Sequence, residues 1–143
     1  MDNLIFREVK KEDLSQVHKL LNQLKLIDKN KIDLDLAWDN FSQNTSVNSI
    51  VGILDDKIIA YGSIIIENKI RGEVAGHIED IVVNENYRGL YIGNKLINEL
   101  VNISKINNCY RITLFCKERL TKFYSRIGFK VDSVNMKKYV NKD

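Results

Sequence analysis

Hydrophobic residues alternate with polar ones in some segments of the chain and recur every three or four positions in others. Alternation is typical of β-strands with one buried face, and the longer period is typical of amphipathic helices. On this basis the sequence predicts strands over residues 4–9, 49–54, 58–67, 74–84, 110–116, 129–131 and 134–140. It predicts helices over residues 11–24, 33–41, 92–104 and 118–127, with Leu24 and Leu34 on their inward faces.

The order of these elements predicts a mixed α/β sheet. Polar turns join the early strands into antiparallel hairpins, and the turn over residues 68–73 carries Lys69 and Arg71 in exposed positions. The strand over residues 74–84 is followed by a helix and another strand, which predicts a right-handed parallel crossover. We therefore expect a mostly antiparallel sheet with this parallel unit at its centre and helices on both faces. The length fits one core, so residues 1–143 are expected to form a single domain.

Composition narrows the possible functions only a little. The chain is 44% hydrophobic and 29% charged, with a formal net charge of +3. A small positive charge favours anionic ligands such as nucleotides and sugar phosphates, although solvated lysines explain it equally well. No basic surface interleaved with aromatic residues is evident, so nucleic-acid binding is not expected. The longest apolar run, residues 58–66, is too short to cross a bilayer, and no leader precedes the first strand. A soluble cytoplasmic protein is expected.

The cysteines and histidines do not predict a metal site. Cys109 and Cys116 lie at an odd spacing around a predicted strand, which places them on opposite faces. His18 falls on a helical pattern, and His77 begins a strand. No cluster has metal-ligand spacing, so no metal is expected.

Candidate chemistry concentrates in residues 76–95. The strand here carries the paired carboxylates Glu79 and Asp80, and a basic, glycine-bearing turn then leads into a helix. Backbone N–H groups and the positive end of the helix meet at such a turn, which suits a pyrophosphate. The alternative is an ordinary glycine-bearing start of a helix.

These motifs resemble a known family. The chain carries GHIED at residues 76–80, Arg88 and Gly89 with Ile92 and Gly93, NCYRI at residues 108–112, and the pairs Phe123–Tyr124 and Gly128–Phe129. The order and spacing of these motifs resemble those of the GNAT superfamily of acetyl-CoA-dependent N-acetyltransferases. Within it they resemble the eukaryotic-type glucosamine 6-phosphate N-acetyltransferases. The resemblance covers residues 64–136, and the first sixty residues match only in outline.

The resemblance implies the GNAT fold, acetyl-CoA as co-substrate, and D-glucosamine 6-phosphate as acceptor on the route to UDP-N-acetylglucosamine. It also implies a homodimer in which Tyr110, Arg111 and the C-terminal strand act across the interface, and it makes Tyr124 the acid that protonates the CoA thiolate. The residues expected to bind the cofactor are Ile81, Val82, Val83, Arg88, Gly89, Leu90, Tyr91, Ile92, Gly93 and Asn94.

The chemistry of amide formation assigns further roles. Glu79 or Asp80 is a candidate to accept the proton of the amine, and the other to orient the sugar hydroxyls. Adjacent strand residues face opposite sides, so at most one is expected to meet the amine. The alternatives are a solvated carboxylate pair and, for Tyr124, an ordinary core tyrosine. No Ser-His-Asp or Cys-His arrangement is evident, which favours direct transfer in a ternary complex. Lys69, Arg111 and Lys137 are the candidates for the acceptor's phosphate.

Three residues depart from the family pattern. Tyr91 stands at a motif glycine and is compatible with phosphate contact if its φ is negative. Phe115 replaces an acidic residue, and Tyr139 replaces an arginine for which Lys137 is a possible substitute. These departures leave two alternatives open, a GNAT enzyme for another amine (an amino sugar or a peptide N-terminus) and a non-catalytic acyl-CoA-binding module.

Overall fold

The computed structural model describes residues 3–89 and 91–141. Within these residues a five-stranded sheet has the order β1-β2-β3-β4-β5. The strands are β1 (Ile5–Glu8), β2 (Val47–Leu54), β3 (Lys57–Asn68), β4 (Val74–Val83) and β5 (Arg111–Leu114). The first four pair antiparallel, and β5 runs parallel to β4. The predicted mixed sheet with a parallel crossover is confirmed, but the parallel pair β4–β5 lies at one edge of the described sheet and not at its centre.

Helices cover both faces of the sheet, as predicted. They are α1 (Leu14–Leu21), α2 (Leu34–Ser42), α3 (Ile92–Ile106) and α4 (Thr121–Arg126). Val17 and Leu20 of α1 are buried against one face together with Trp38 of α2. The other face packs against a second cluster, to which α3 contributes its fully buried Leu96 and Leu100. The 3.6-residue pattern of α3 therefore identified its core face correctly.

A β-bulge interrupts β4 where the candidate carboxylates lie. Tyr61 pairs with Val82 and Ser63 with Glu79, so Gly62 alone faces two residues, Asp80 and Ile81. A Cβ on Gly62 would lie 2.7 Å from Ile81 Cδ1, so a larger residue opposite the bulge would force this side chain to move. The extra residue reverses the alternation along β4 and turns Ile81 towards the α3 side of the sheet.

The strands β4 and β5 separate after a short contact. Their pairing runs from Ala75 with Arg111 to Ile78 with Leu114 and stops there. Asn84 N–H donates to Ile59 O at 2.7 Å, so by strand alternation the N–H and C=O of Val83 face away from β3. The second half of β4 therefore presents free backbone groups at a gap beside β5.

Several predicted boundaries and positions are wrong. α1 ends at Leu21, which leaves Leu24 outside the helix and 53% exposed, and Leu34 is exposed at the start of α2. The side chain of Lys69 is only 20% exposed, because it folds back onto Glu67 with Nζ–Oε1 at 3.0 Å. β5 ends at Leu114 rather than at residue 116, because β4 has by then moved away from it.

The C-terminal strands predicted over residues 129–131 and 134–140 are not formed in the described chain. Residues 129–141 carry no strand, and the apolar side chains of Val134, Met136 and Val140 are 87%, 90% and 80% exposed. The apolar alternation is present in the sequence, but a strand also needs a hydrogen-bonded neighbour. This segment finds none within its own chain.

Candidate active site

Two described residues of the turn between β4 and α3 have left-handed backbone conformations. Gly89 has a φ of +84°, and Tyr91, the residue that caps the 15-residue helix α3, has a φ of +61°. The negative φ under which Tyr91 would be compatible with phosphate contact is therefore not observed. The turn requires a left-handed residue directly before α3, and the tyrosine takes the conformation that glycine would adopt. Its side chain is 77% exposed. Leu90 lies outside the described residues.

Some of the other residues expected to bind the cofactor have buried side chains, and others have exposed ones. Val82 and Ile92 are buried in the two clusters, so only their main chain is available to a ligand. Arg88 is exposed, with Nη2 at 3.4 Å from Gln23 Oε1. A Cβ on Gly93 would lie 3.3 Å from the ring of Phe123, so this glycine allows α4 to approach the start of α3. Tyr124 is the next residue of α4.

The carboxylates Glu79 and Asp80 lie at the bulge, next to the gap between β4 and β5. Asp80 has a φ of +55°, so the alternation expected to place the two side chains on opposite faces does not apply to it. Partial burial, and secondly the neighbouring charge of Glu79, raise the pKa of Asp80 above its ordinary value. A carboxylate with a raised pKa is a stronger proton acceptor.

Tyr124 is 7% exposed and packs edge-to-face between Phe123 and Phe129, with ring centroids 4.9 and 5.9 Å away. Burial, and secondly the charge of Cys116, raise the pKa of its phenol. The residue lines a cleft of about 410 Å³ that runs between β5 and residues 129–135. Its hydroxyl makes no hydrogen bond to another residue of the described chain. It is therefore a protonated phenol at the wall of an open cleft.

Cationic side chains gather at the opposite end of β5. Arg111 Nε donates to Tyr110 OH at 2.7 Å, and Arg71 Nη2 approaches the same oxygen at 3.4 Å. The hydrogen bond from Arg111 is the main cause that lowers the pKa of Tyr110. Lys69 lies in the same turn region, where it pairs with Glu67. The structure thus brings Lys69, Tyr110 and Arg111 together and adds Arg71, which the sequence analysis had placed only as an exposed turn residue.

This cationic cluster is distant from the carboxylates of its own chain. Arg111 pairs with Ala75, and Glu79 is four residues further along β4, about 13 Å at the rise of a strand. Lys137 lies on the exposed C-terminal segment, with Nζ 5.8 Å from the centroid of Tyr139. The described chain therefore does not assemble all the predicted acceptor contacts at one point.

His77 was not among the predicted site residues. Its Nδ1 lies 2.9 Å from Thr113 Oγ1, its Nε2 lies 3.3 Å from Glu79 Oε1, and its ring stacks on that of Phe115 at 4.9 Å. The spacing of two residues from Glu79 was the only local signal. The contacts to β5 depend on the crossover pairing.

Two general features of the described residues bear on cofactors and location. No group of three or more His, Cys, Asp or Glu side chains in residues 3–89 and 91–141 is arranged to hold a metal ion. In the same part of the chain, no helix has both the length and the apolar character needed to cross a membrane.

Known proteins with similar sequences include two glucosamine 6-phosphate N-acetyltransferases. The glucosamine 6-phosphate N-acetyltransferase 1 of Dictyostelium discoideum is 44% identical over 87 residues, which cover 59% of this chain and 55% of that protein. The glucosamine 6-phosphate N-acetyltransferase of Arabidopsis thaliana is 39% identical over 85 residues, covering 58% of this chain and 57% of that protein. The chain thus spans little more than half the length of the curated relatives it matches.

Solved structures match the chain over nearly its whole length. The crystal structure of the Arabidopsis thaliana glucosamine-6-phosphate N-acetyltransferase superposes with a TM-score of 0.85 at 29% identity, covering 96% of this chain and 99% of that one. A predicted acetyltransferase from Clostridium acetobutylicum, solved with acetyl-CoA, shares the fold with a TM-score of 0.75 at 19% identity, covering 95% of this chain and 96% of that one. The acetyltransferase (GNAT) family profile matches residues 14–129. The chain therefore belongs to the acetyltransferase (GNAT) family.

Proposed function

We propose that this chain transfers the acetyl group of acetyl-CoA to the amine of D-glucosamine 6-phosphate, giving N-acetylglucosamine 6-phosphate and CoA. Residues 1–143 act as one catalytic domain in the cytoplasm, on the route to UDP-N-acetylglucosamine. The observation that carries the proposal is the pair Glu79 and Asp80 at the β4 bulge, beside the gap between β4 and β5. The relatives that bear this activity in their names support the choice of acceptor.

The gap and the turn after β4 fit acetyl-CoA. The free N–H and C=O of Val83 suit the amide groups of the pantetheine arm, which would extend the sheet like an additional strand. The backbone of Gly89 and of residues 91–94 at the start of α3, with Arg88 beside it, suits the pyrophosphate. When bound, acetyl-CoA supplies the thioester carbonyl that the amine attacks. The backbone around Ile81 is the candidate donor to the oxyanion formed in that step.

Asp80 is the better candidate to accept the amine proton. Its raised pKa brings its basicity closer to that of a sugar amine, which loses its proton more easily than lysine does. Glu79 remains to bind the sugar. Tyr124, which stays protonated at neutral pH because its pKa is raised, then donates a proton to the departing thiolate. No covalent acyl-enzyme is needed.

We further propose that the enzyme is a homodimer whose two sites each use residues of both chains. Among the described residues, neither the exposed apolar segment of residues 134–140 nor the outer edge of β5 has a strand neighbour, so the two are complementary. Arg111 and Lys137 would then contact the acceptor's phosphate from the partner subunit. The distance of about 13 Å between Arg111 and Glu79 along one chain supports this arrangement.

Phe115 supports a second candidate function, acetylation of a different amine. The phenylalanine is 64% exposed beside His77, where an acidic side chain was expected from the resemblance. Loss of that carboxylate removes one hydrogen-bond acceptor from the acceptor subsite, which a less polar amine would tolerate better.

A thiol-release assay with acetyl-CoA and a panel of amines distinguishes these functions. Glucosamine 6-phosphate should have a kcat/KM about tenfold or more above that of glucosamine, because charge-assisted hydrogen bonds to the phosphate position the amine. An amino sugar without phosphate and a peptide N-terminus complete the panel. Equal turnover of the two glucosamines, or none of either, would refute the proposed acceptor. Binding of acetyl-CoA without turnover of any amine would indicate a non-catalytic module.

A further inference from the structure

His77 is held between two strands on the same face of the sheet as Glu79. It is the Cα partner of Thr113 in the parallel pairing of β4 and β5, and it lies two residues before Glu79. Side chains two positions apart in a strand share one face, so both contacts follow from the backbone. The ring bridges Thr113 at 2.9 Å and Glu79 at 3.3 Å.

Hydrogen-bonding capacity assigns a direction to this bridge. A neutral imidazole has one donor and one acceptor, and a threonine hydroxyl can donate or accept. If the hydroxyl of Thr113 donates to Nδ1, the ring hydrogen must lie on Nε2, the nitrogen that faces Glu79. A carboxylate only accepts hydrogen bonds, so Glu79 favours this tautomer, in which Thr113 can donate to Nδ1. The same nitrogen also faces Glu79 when the ring is protonated.

Phe115 limits the freedom of the histidine ring. Its centroid lies 4.9 Å from that of His77, with the two planes at 58°. The His77 side chain is 24% exposed, against 48% for that of Glu79. The ring is thus fixed by Thr113 of β5 and by Phe115 just after that strand, while the carboxylate it faces remains open to a ligand.

From this geometry we propose that His77 is a positioning residue, which holds the Glu79 carboxylate in one orientation towards the acceptor. The inference rests on the proposed function and assigns Glu79 to binding the sugar. His77 does not exchange a proton with the substrate in this scheme. It also gives Phe115 a function, since an aromatic side chain at this position restrains the histidine instead of contacting the sugar as a carboxylate would.

Three variants test the kinetic consequence. His77→Leu removes the donor and should raise KM for glucosamine 6-phosphate about tenfold or more, the value of a hydrogen bond to a charged group. Its kcat should change less, and its acetyl-CoA affinity by calorimetry should stay unchanged. His77→Gln can present an amide N–H to the same carboxylate and should recover KM to within about threefold of wild type. Thr113→Val, which frees the ring, should give an intermediate KM.

A purely structural role predicts a different pattern. His77→Gln would then be as impaired as His77→Leu, or acetyl-CoA affinity would fall together with acceptor affinity. Either result overturns the proposal.

A second measurement does not depend on activity. Because the chain has two histidines, ¹⁵N spectra of the ring nitrogens can be assigned with His18→Gln alone. At about pH 8.5, well above the ordinary histidine pKa, His77 should carry its hydrogen on Nε2, and Thr113→Val should weaken that preference. A hydrogen on Nδ1 in the wild type would overturn the inference. If no amine is acetylated, the proposed function fails, and this spectrum still decides the position of the ring hydrogen.

Discussion

The substitution Tyr124→Phe separates catalysis from stability at the proposed acid. It removes one oxygen and keeps both edge-to-face contacts, with Phe123 at 4.9 Å and Phe129 at 5.9 Å. The hydroxyl bonds to no other residue in the described chain, so its loss leaves no buried partner unsatisfied. The free energy of unfolding should therefore change by about 0.5 kcal/mol or less.

The expected effect on rate is much larger. General acid catalysis contributes about 100-fold or more, which corresponds to about 2.7 kcal/mol of transition-state stabilisation. Because burial and Cys116 raise the pKa of Tyr124, the phenol is protonated throughout the neutral range. Wild-type kcat should fall only as pH rises above about 10, the ordinary phenol value. That alkaline decline should be absent from the Phe variant.

The assay is thiol release at saturating acetyl-CoA and glucosamine 6-phosphate, with thermal unfolding and acetyl-CoA affinity measured on the same samples. Tyr87→Phe serves as the matched control, because it removes a phenol oxygen from a partly buried tyrosine outside the cleft. An unchanged kcat in folded Tyr124→Phe would refute the role as acid and assign Tyr124 to the core alone.

Three other expected outcomes follow from the structure. Mixing inactive Arg111→Ala with inactive Tyr124→Phe under subunit exchange should restore activity towards half of that expected for wild type in the mixed dimers, because one composite site then holds no lesion. Absence of recovery despite proven exchange, or a monomer in sedimentation, would contradict the shared site. Asp80→Asn should lower kcat about 100-fold. Asp80→Asn should also stabilise the fold at neutral pH, because the folded-state pKa of Asp80 is raised and its charge is unfavourable once pH exceeds the ordinary aspartate value. If chemical denaturation showed the variant and the wild type to be equally stable at every pH, this expectation would be contradicted. Asp13→Asn should cost about 2–3 kcal/mol at neutral pH, because Asp13 is 4% exposed and accepts two bonds from Arg7, at 2.7 and 3.0 Å. Since the hydrogen bond from Arg7 lowers the folded-state pKa of Asp13, the stabilisation is present above the ordinary aspartate value and is lost as pH falls through the folded one. A pH-independent difference between Asp13→Asn and wild type would contradict that assignment.

Sequence patterns predicted the helices and strands whose form depends on residues close together in the chain. The apolar spacing in α3 identified the face that buries Leu96 and Leu100. Alternation located β3 and β4, and the motif of residues 76–80 located the carboxylates. These signals are local, since side-chain direction repeats every two residues in a strand and about every 3.6 in a helix.

The patterns failed where the environment of a residue depends on residues that are distant in the sequence. The alternation of residues 134–140 predicted a strand, yet the described chain offers it no neighbour. The backbone conformation of Tyr91 was left open by the sequence, and the structure gives it a positive φ. Lys69 was expected to be exposed, but its side chain is 20% exposed and pairs with Glu67.

The sequence by itself therefore determined the order of the strands and helices that form, the two core faces, and the segment that carries the carboxylates and the glycine-bearing turn. Only the tertiary structure decided how these residues meet. The register between β3 and β4 sets Gly62 opposite the bulge and gives Asp80 its left-handed conformation. The crossover through α3 brings Thr113 and Phe115 to His77, 36 and 38 positions away along the chain. Such contacts depend on strand pairing and packing across the whole sheet, and no local periodicity encodes them.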